Sequence, residues 1–109
     1  MEFKKAAAEL VAAYRRAPGA EPLDFTRTDA YRQFIEAAEQ AGFTGPDVEM
    51  DTEFADRSPE WVARADELAL RRWINTLIRS DRWNGDYPDA VWMACRSGCI
   101  GGLVERLTG

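Results

Sequence analysis

Apolar residues Phe3, Ala6, Ala7, Leu10, Val11, Tyr14 and Ala17 recur three and four apart between Glu2 and Ala17. That spacing places them on one face of a helix. Arg15 and Arg16 suit the negative end of the helix dipole, and Pro18-Gly19 stops the helix. A turn-rich linker follows. Thr26 and Asp29 then form a capping pair, and Ala30, Tyr31, Phe34, Ile35, Ala38 and Ala41 repeat the spacing up to Gly42, which predicts a second helix over 28–41.

Between Gly45-Pro46 and Ser58-Pro59 the period changes. Asp47, Glu49, Asp51 and Glu53 alternate with Val48, Met50, Thr52 and Phe54, the pattern of an extended segment with one acidic and one apolar face. Ser58 as N-cap and Pro59 at the first helical position open a short third helix carrying Trp61, Val62 and Ala65. Leu70, Trp73, Ile74, Leu77 and Ile78 lie on the opposite side of any continuous helix through this region. A break near Asp66, which then caps a fourth helix running to about Ser80, resolves the conflict. One long helix buried on different sides along its length is the alternative. Asn84-Gly85 marks a turn, Pro88-Asp89 starts a fifth helix through Arg96, and Gly98 ends it. Ile100, Leu103, Val104 and Leu107 make a short sixth helix despite Gly101 and Gly102. The expectation is a mainly α, single domain over 1–109, with five to six packed helices and one short extended acidic segment.

Charge sharpens this picture. From Ala20 to Asp56 ten acids meet two bases, whereas the first nineteen residues hold four bases and two acids, within a net charge of −5 for all 109 residues. The middle of the chain is therefore an acidic pole. Its field disfavours a phosphate backbone and favours a basic partner surface, with steering that weakens as salt is added. Histidine is absent, which removes Ser-His-Asp and Cys-His nucleophiles and the usual histidine-containing zinc sites. Two cysteines are too few for a disulfide scaffold, and no leader pattern opens the sequence, so a cytoplasmic location is expected. No apolar run approaches the roughly 20 residues that span a bilayer.

Several constellations carry candidate chemistry. In an extended chain alternate side chains project to one side about 6.6 Å apart, so Asp47, Glu49, Asp51 and Glu53 would form a row of negative charge, with Glu36 and Glu39 nearby in sequence. Such a row imitates a nucleic-acid backbone, although charge on an edge strand also keeps a protein monomeric. The same acids do not fit a calcium loop. Thr52 stands where glycine is needed if Asp47 is first, and Phe54 does so if Glu49 is first. Arg64, Arg71, Arg72, Arg79 and Arg82, edged by Trp83, form a second candidate, since arginine forks bind phosphate and carboxylate bidentately. Only two lysines and a pI of 4.7 weigh against nucleic acid as its ligand. Cys95 and Cys99 lie four apart across Gly98, neither a redox pair nor half of a zinc site, and read as buried reduced thiols. Among the aromatics, Trp83 and Tyr87 beside Asn84-Gly85 are the candidate interface anchors.

The run Thr76-Leu77-Ile78-Arg79-Ser80-Asp81-Arg82-Trp83-Asn84-Gly85, followed by Ser97-Gly98-Cys99-Ile100 and by Leu103 to Arg106-Leu107, resembles the C-terminal block of a bacterial and phage domain family of unknown function. That block reads arginine, acid, arginine and aromatic, then two glycines and a closing Arg-Leu. The resemblance spans roughly 66–107. It departs in a longer interval from Gly85 to Gly98, with Asp86-Tyr87-Pro88-Asp89 as the insertion, and in Trp83 where phenylalanine is usual. It implies a small helical unit and no catalytic residue.

These observations favour a non-enzymatic protein-binding domain without metal or cofactor. Its acidic residues would dock on a basic surface of a nucleic-acid-handling complex. In size and acidity it is similar in type to phage or mobile-element inhibitors, such as anti-CRISPR proteins and DNA mimics. The alternative is a nucleic-acid-binding module acting through Arg71, Arg72, Arg79 and Arg82. A homodimer through exposed aromatics stays open, and no membrane role is expected.

Overall fold

A computed structural model describes residues 2–44, 57–83 and 90–108, with the side chains of 80–83 left out. Seven helices and no strand occur among them: α1 (Phe3–Arg16), α2 (Pro22–Thr26), α3 (Asp29–Gln40), α4 (Pro59–Arg64), α5 (Glu67–Trp83), α6 (Ala90–Arg96) and α7 (Ile100–Thr108). The mainly helical class is as expected. The segment 47–53, anticipated as extended, lies outside the described residues.

Each helix begins and ends where its local chemistry directs. Ser58 Oγ accepts from Trp61 N–H at 3.1 Å, with Pro59 at the first helical position. Asp66 Oδ1 accepts from Ala69 N–H at 2.8 Å and caps α5. Between these two helices Ala65 is extended (φ −64°, ψ 148°), so the break inferred from the rotated apolar face is present and the single long helix is not. Gly42 and Gly98 take positive φ of 84° and 77° beyond the ends of α3 and α6, the left-handed conformation that glycine reaches without a Cβ penalty.

Three expectations need correction. The linker before α3 contains α2, five residues long, held by Phe25, whose ring meets Tyr14 and Tyr31 edge-on at centroid distances of 6.0 and 5.7 Å. The described residues accordingly form seven helices, against the five or six expected. Thr28 caps α3, its Oγ1 accepting from Tyr31 N–H at 3.3 Å, in place of the pair Thr26 and Asp29; Thr26 Oγ1 instead donates back to Leu23 C=O. Finally, α5 continues past Ser80 to Trp83, so Trp83 belongs to the helix rather than to the turn after it.

One cluster of buried side chains unites the helices. Leu10 of α1, Phe34 of α3, Leu70, Ile74 and Leu77 of α5, Val91 of α6 and Leu103 of α7 are almost wholly excluded from solvent. Trp73, 2% exposed, is the largest of the deeply buried side chains and meets Trp61 edge-on at 5.5 Å. Helix α1 packs on α3 and α7, α5 on α6 and α7, and α4 on α7. Helix α7 is thus the shared neighbour of α1, α4 and α5.

Candidate interaction surfaces

The acidic pole is only partly described. Asp47, Glu49, Asp51 and Glu53 lie outside the described residues, while Glu36 and Glu39 sit on α3, Glu36 exposed and Glu39 half-buried. Along α2 and α3 two carboxylates are matched by the helices' own arginines: Asp24 faces Arg27 at 3.9 Å and Asp29 faces Arg32 at 2.9 Å. Glu21 and Glu36 are exposed and have no ion-pair partner among the described residues. The two local pairs, both exposed, contribute little stability each and absorb the only two bases of the 20–56 stretch. The stretch holds eight further acids and no further base.

The arginine face is not one stripe. The α4–α5 break puts exposed Arg64 on α4, away from the helix that carries Arg71, Arg72 and Arg79. Those three are half-buried. Arg71 Nε donates to Glu67 Oε1 at 3.2 Å, and its guanidinium lies 5.7 Å from the Phe43 ring centre, tying α5 to the end of α3. Thr76 Oγ1 donates to the Arg72 carbonyl at 2.8 Å. Arg82 and Trp83 share the last turn of α5, and Tyr87 lies outside the described residues. Of this face, Arg71 is engaged within the fold.

Both cysteines are free and buried. Burial pushes the Cys95 thiol up to about 12, because a thiolate loses hydration there. Cys99 Sγ accepts from Ser97 Oγ at 3.1 Å and donates to the Arg57 carbonyl at 3.0 Å, which joins the start of α7 to the approach of α4. The neighbouring Arg57 guanidinium stacks 4.4 Å from the Trp61 ring centre.

Two shallow grooves flank α7, and neither was anticipated from sequence. The first, about 610 Å³, runs between α1 and α7; buried Ala7 and Val104 and half-buried Val11 line it together with exposed Ala8, Ala12 and Gly101 and the cations Lys4, Arg15 and Arg16. The second, about 550 Å³, lies between α4 and α7 and is lined by Val62, Ala63, Gly98, Gly102 and Arg106. Glu105 stands on the ridge between them and lines both. Gly101 and Gly102 are exposed and put no side chain into the grooves, while Ile100 before them and Leu103 after them are buried in the core. The glycines were visible in the sequence as anomalies within a helix. Gly101 shares a groove with α1 and Gly102 with α4, neighbours distant in the chain that come together only in the fold.

Arg106 closes the second groove. Its Nη1 donates to the carbonyls of Val62, Ala63 and Ala65 at 2.9, 3.2 and 2.7 Å. A cation from α7 thereby satisfies the open carbonyl end of α4, which its own sequence leaves uncapped. Among the described residues no group of three or more His, Cys, Asp or Glu side chains is gathered as a metal site, and no helix is long and apolar enough to cross a membrane. Comparison with known proteins returns no matching family model, no matching curated protein and no matching solved structure.

Proposed function

We propose that this domain works by protein-protein contact rather than catalysis, presenting its acidic middle to a lysine- and arginine-rich surface of a nucleic-acid-handling protein. The observation that carries this reading is the segregation of charge: ten acids against two bases over 20–56, in a chain whose other parts are close to neutral or basic. The local pairing of both bases with Asp24 and Asp29 supports it, because nothing of opposite sign is left within that segment. An array of carboxylates attracts the same grooves that hold phosphates. An inhibitor of the anti-CRISPR or DNA-mimic kind, encoded by a phage or mobile element, is the form of such a domain we favour. Two buried reduced thiols suit a cytoplasmic setting.

The test is affinity capture from host lysate with the domain and with its Asp47→Asn, Glu49→Gln, Asp51→Asn, Glu53→Gln variant. A nucleic-acid-handling protein should be retained at low salt, released between about 50 and 300 mM salt, displaced by duplex DNA, and lost in the variant. Retention of the same partner by the variant, with the same salt dependence, overturns the proposal. The arginine-face reading fares less well, since Arg71 is engaged by Glu67 and Phe43. A gel shift at low salt that fails with the Arg72→Ala, Arg79→Ala variant would reinstate it.

A further inference from the structure

A second surface, opposite in sign to the acidic pole, has features that its own fold does not require. Gly101 lies inside α7 without a positive φ, and a Cβ built on it meets no atom within 4 Å. It is unlike Gly98, which needs its φ of 77°, and unlike Gly102, where a Cβ would touch Val62 Cγ1 at 3.5 Å. Glycine weakens a helix relative to alanine, so a bare position here is a cost with no return inside the molecule. It lines the α1–α7 groove with Ala8 and Ala12, one helical turn apart, all three exposed. Lys4, Arg15 and Arg16 stand along the rim, and none has an ion-pair partner among the described residues. Glu105 is the one acid in the lining.

We propose that this groove receives an amphipathic helix of a different protein, its apolar stripe seated over Ala8, Ala12 and Gly101 and its carboxylates paired with Lys4, Arg15 and Arg16. Residues bearing a methyl group or less let a helix backbone approach closely, and a groove between two packed helices accepts a third in the usual way of groove recognition. Charge chooses the occupant. A second copy docking through the same face would set the α1 cations of both copies against each other, which disfavours self-pairing, whereas an acidic helix neutralises them. The proposal uses none of the acids invoked for the function proposed above, so its failure or success is independent of that reading.

The probe is an alanine-based helical peptide of about 18 residues, with leucines at three- and four-residue spacing flanked by glutamates, and a twin with lysines in their place. Titration into isotope-labelled domain should shift the amide signals of Ala8, Ala12 and Gly101 with the glutamate peptide only. Affinity should fall about tenfold between 50 and 300 mM salt, and by at least about tenfold in the Lys4→Glu, Arg16→Glu variant. A Cβ at position 101 meets no atom within 4 Å, so Gly101→Leu should occupy the groove and abolish binding while leaving the helical circular dichroism unchanged. Four outcomes overturn the proposal: no shifts at the groove, equal binding of both peptides, dimerisation of the free domain that Gly101→Leu removes, or sedimentation with phosphatidylglycerol vesicles through these same residues. The Asp47→Asn, Glu49→Gln, Asp51→Asn, Glu53→Gln variant should bind the peptide as the parent does.

Discussion

Replacing Arg106 by alanine is the most informative single perturbation of the fold, because one side chain stitches two helices through contacts 41 to 44 positions apart in the chain. Nη1 carries two hydrogens, so its three carbonyl contacts at 2.7 to 3.2 Å amount to one hydrogen bond to a single carbonyl and one shared between two. The bond to Val62 is partly buried and those to Ala63 and Ala65 are exposed, so each contributes about 0.5–1.5 kcal/mol net. A cation at the α4 carbonyl end adds about 0.3–1 kcal/mol. Arg106→Ala should therefore destabilise the domain by about 2 kcal/mol, or about 8 °C in Tm at this chain length. Arg106→Lys keeps the charge and loses the fork, so about half the effect should remain; Arg106→Gln keeps a donor and loses the charge. Urea denaturation followed by circular dichroism reads all three. A loss below about 0.5 kcal/mol for Arg106→Ala would refute the assignment of Arg106 as the cap of α4.

The glycines of the last third should separate cleanly. Gly98→Ala forces a Cβ into the left-handed region and should cost about 1–2 kcal/mol, while Gly101→Ala should gain about 0.5–1 kcal/mol; thermal melts compare them. Trp73→Ala should cost about 3–5 kcal/mol by cavity formation. Trp73→Phe should cost much less, since it also removes a buried indole N–H that has no acceptor, and parallel urea titrations would expose the difference. Cys95 gives a pH signature: its thiol is raised from 9.0 to about 12 in the fold, so above pH 9 the unfolded chain holds fewer protons than the native one. Stability should decline as pH rises from about 9 toward 12, by at most about 1.4 kcal/mol per pH unit. The decline should be shallower in Cys95→Ala, measured by denaturation at stepped pH.

The long helices were legible because their apolar faces are regular and their ends carry ordinary stop signals. Phe3, Leu10, Phe34, Leu70 and Ile74 all occupy the core that their spacing foretold. The rotation of the apolar face between Val62 and Leu70 revealed a break that no proline or glycine marks. Helix α2 was missed because five residues are too few to display a period, and Pro22 reads as linker; Phe25 forms the helix by packing on Tyr14 and Tyr31, contacts that no local pattern contains. Thr26 and Thr28 present the same capping chemistry two positions apart, and the φ and ψ of Thr28 decide between them. The arginine face divides between two helices for a related reason: helical spacing says which residues share a face, and the extended Ala65 takes Arg64 off the helix that carries Arg71, Arg72 and Arg79. The acidic row lies outside the described residues and rests on the alternation read from the sequence.

The buried face of α7 and its exposed glycines do opposite things, and that division follows from their residues. Ile100, Leu103 and Val104 are buried in the core and Arg106 binds the end of α4, so these residues join α7 to α1, α4 and α5. Those anchors leave the exposed side of the first turn free to carry Gly101 and Gly102, because the helix is held by its packing rather than by its own propensity. A stability deficit placed there is tolerated by the packing beside it, and Gly101 opens space in the first groove as Gly102 does in the second. Substitutions at 103, 104 and 106 should accordingly lower stability and disturb both grooves together. Substitutions at 101 should leave stability intact or raised and alter only what the α1–α7 groove admits. If Gly101→Leu instead unfolded the domain, the bare turn would be a requirement of packing, and the separation of anchor from docking groove on α7 would fall.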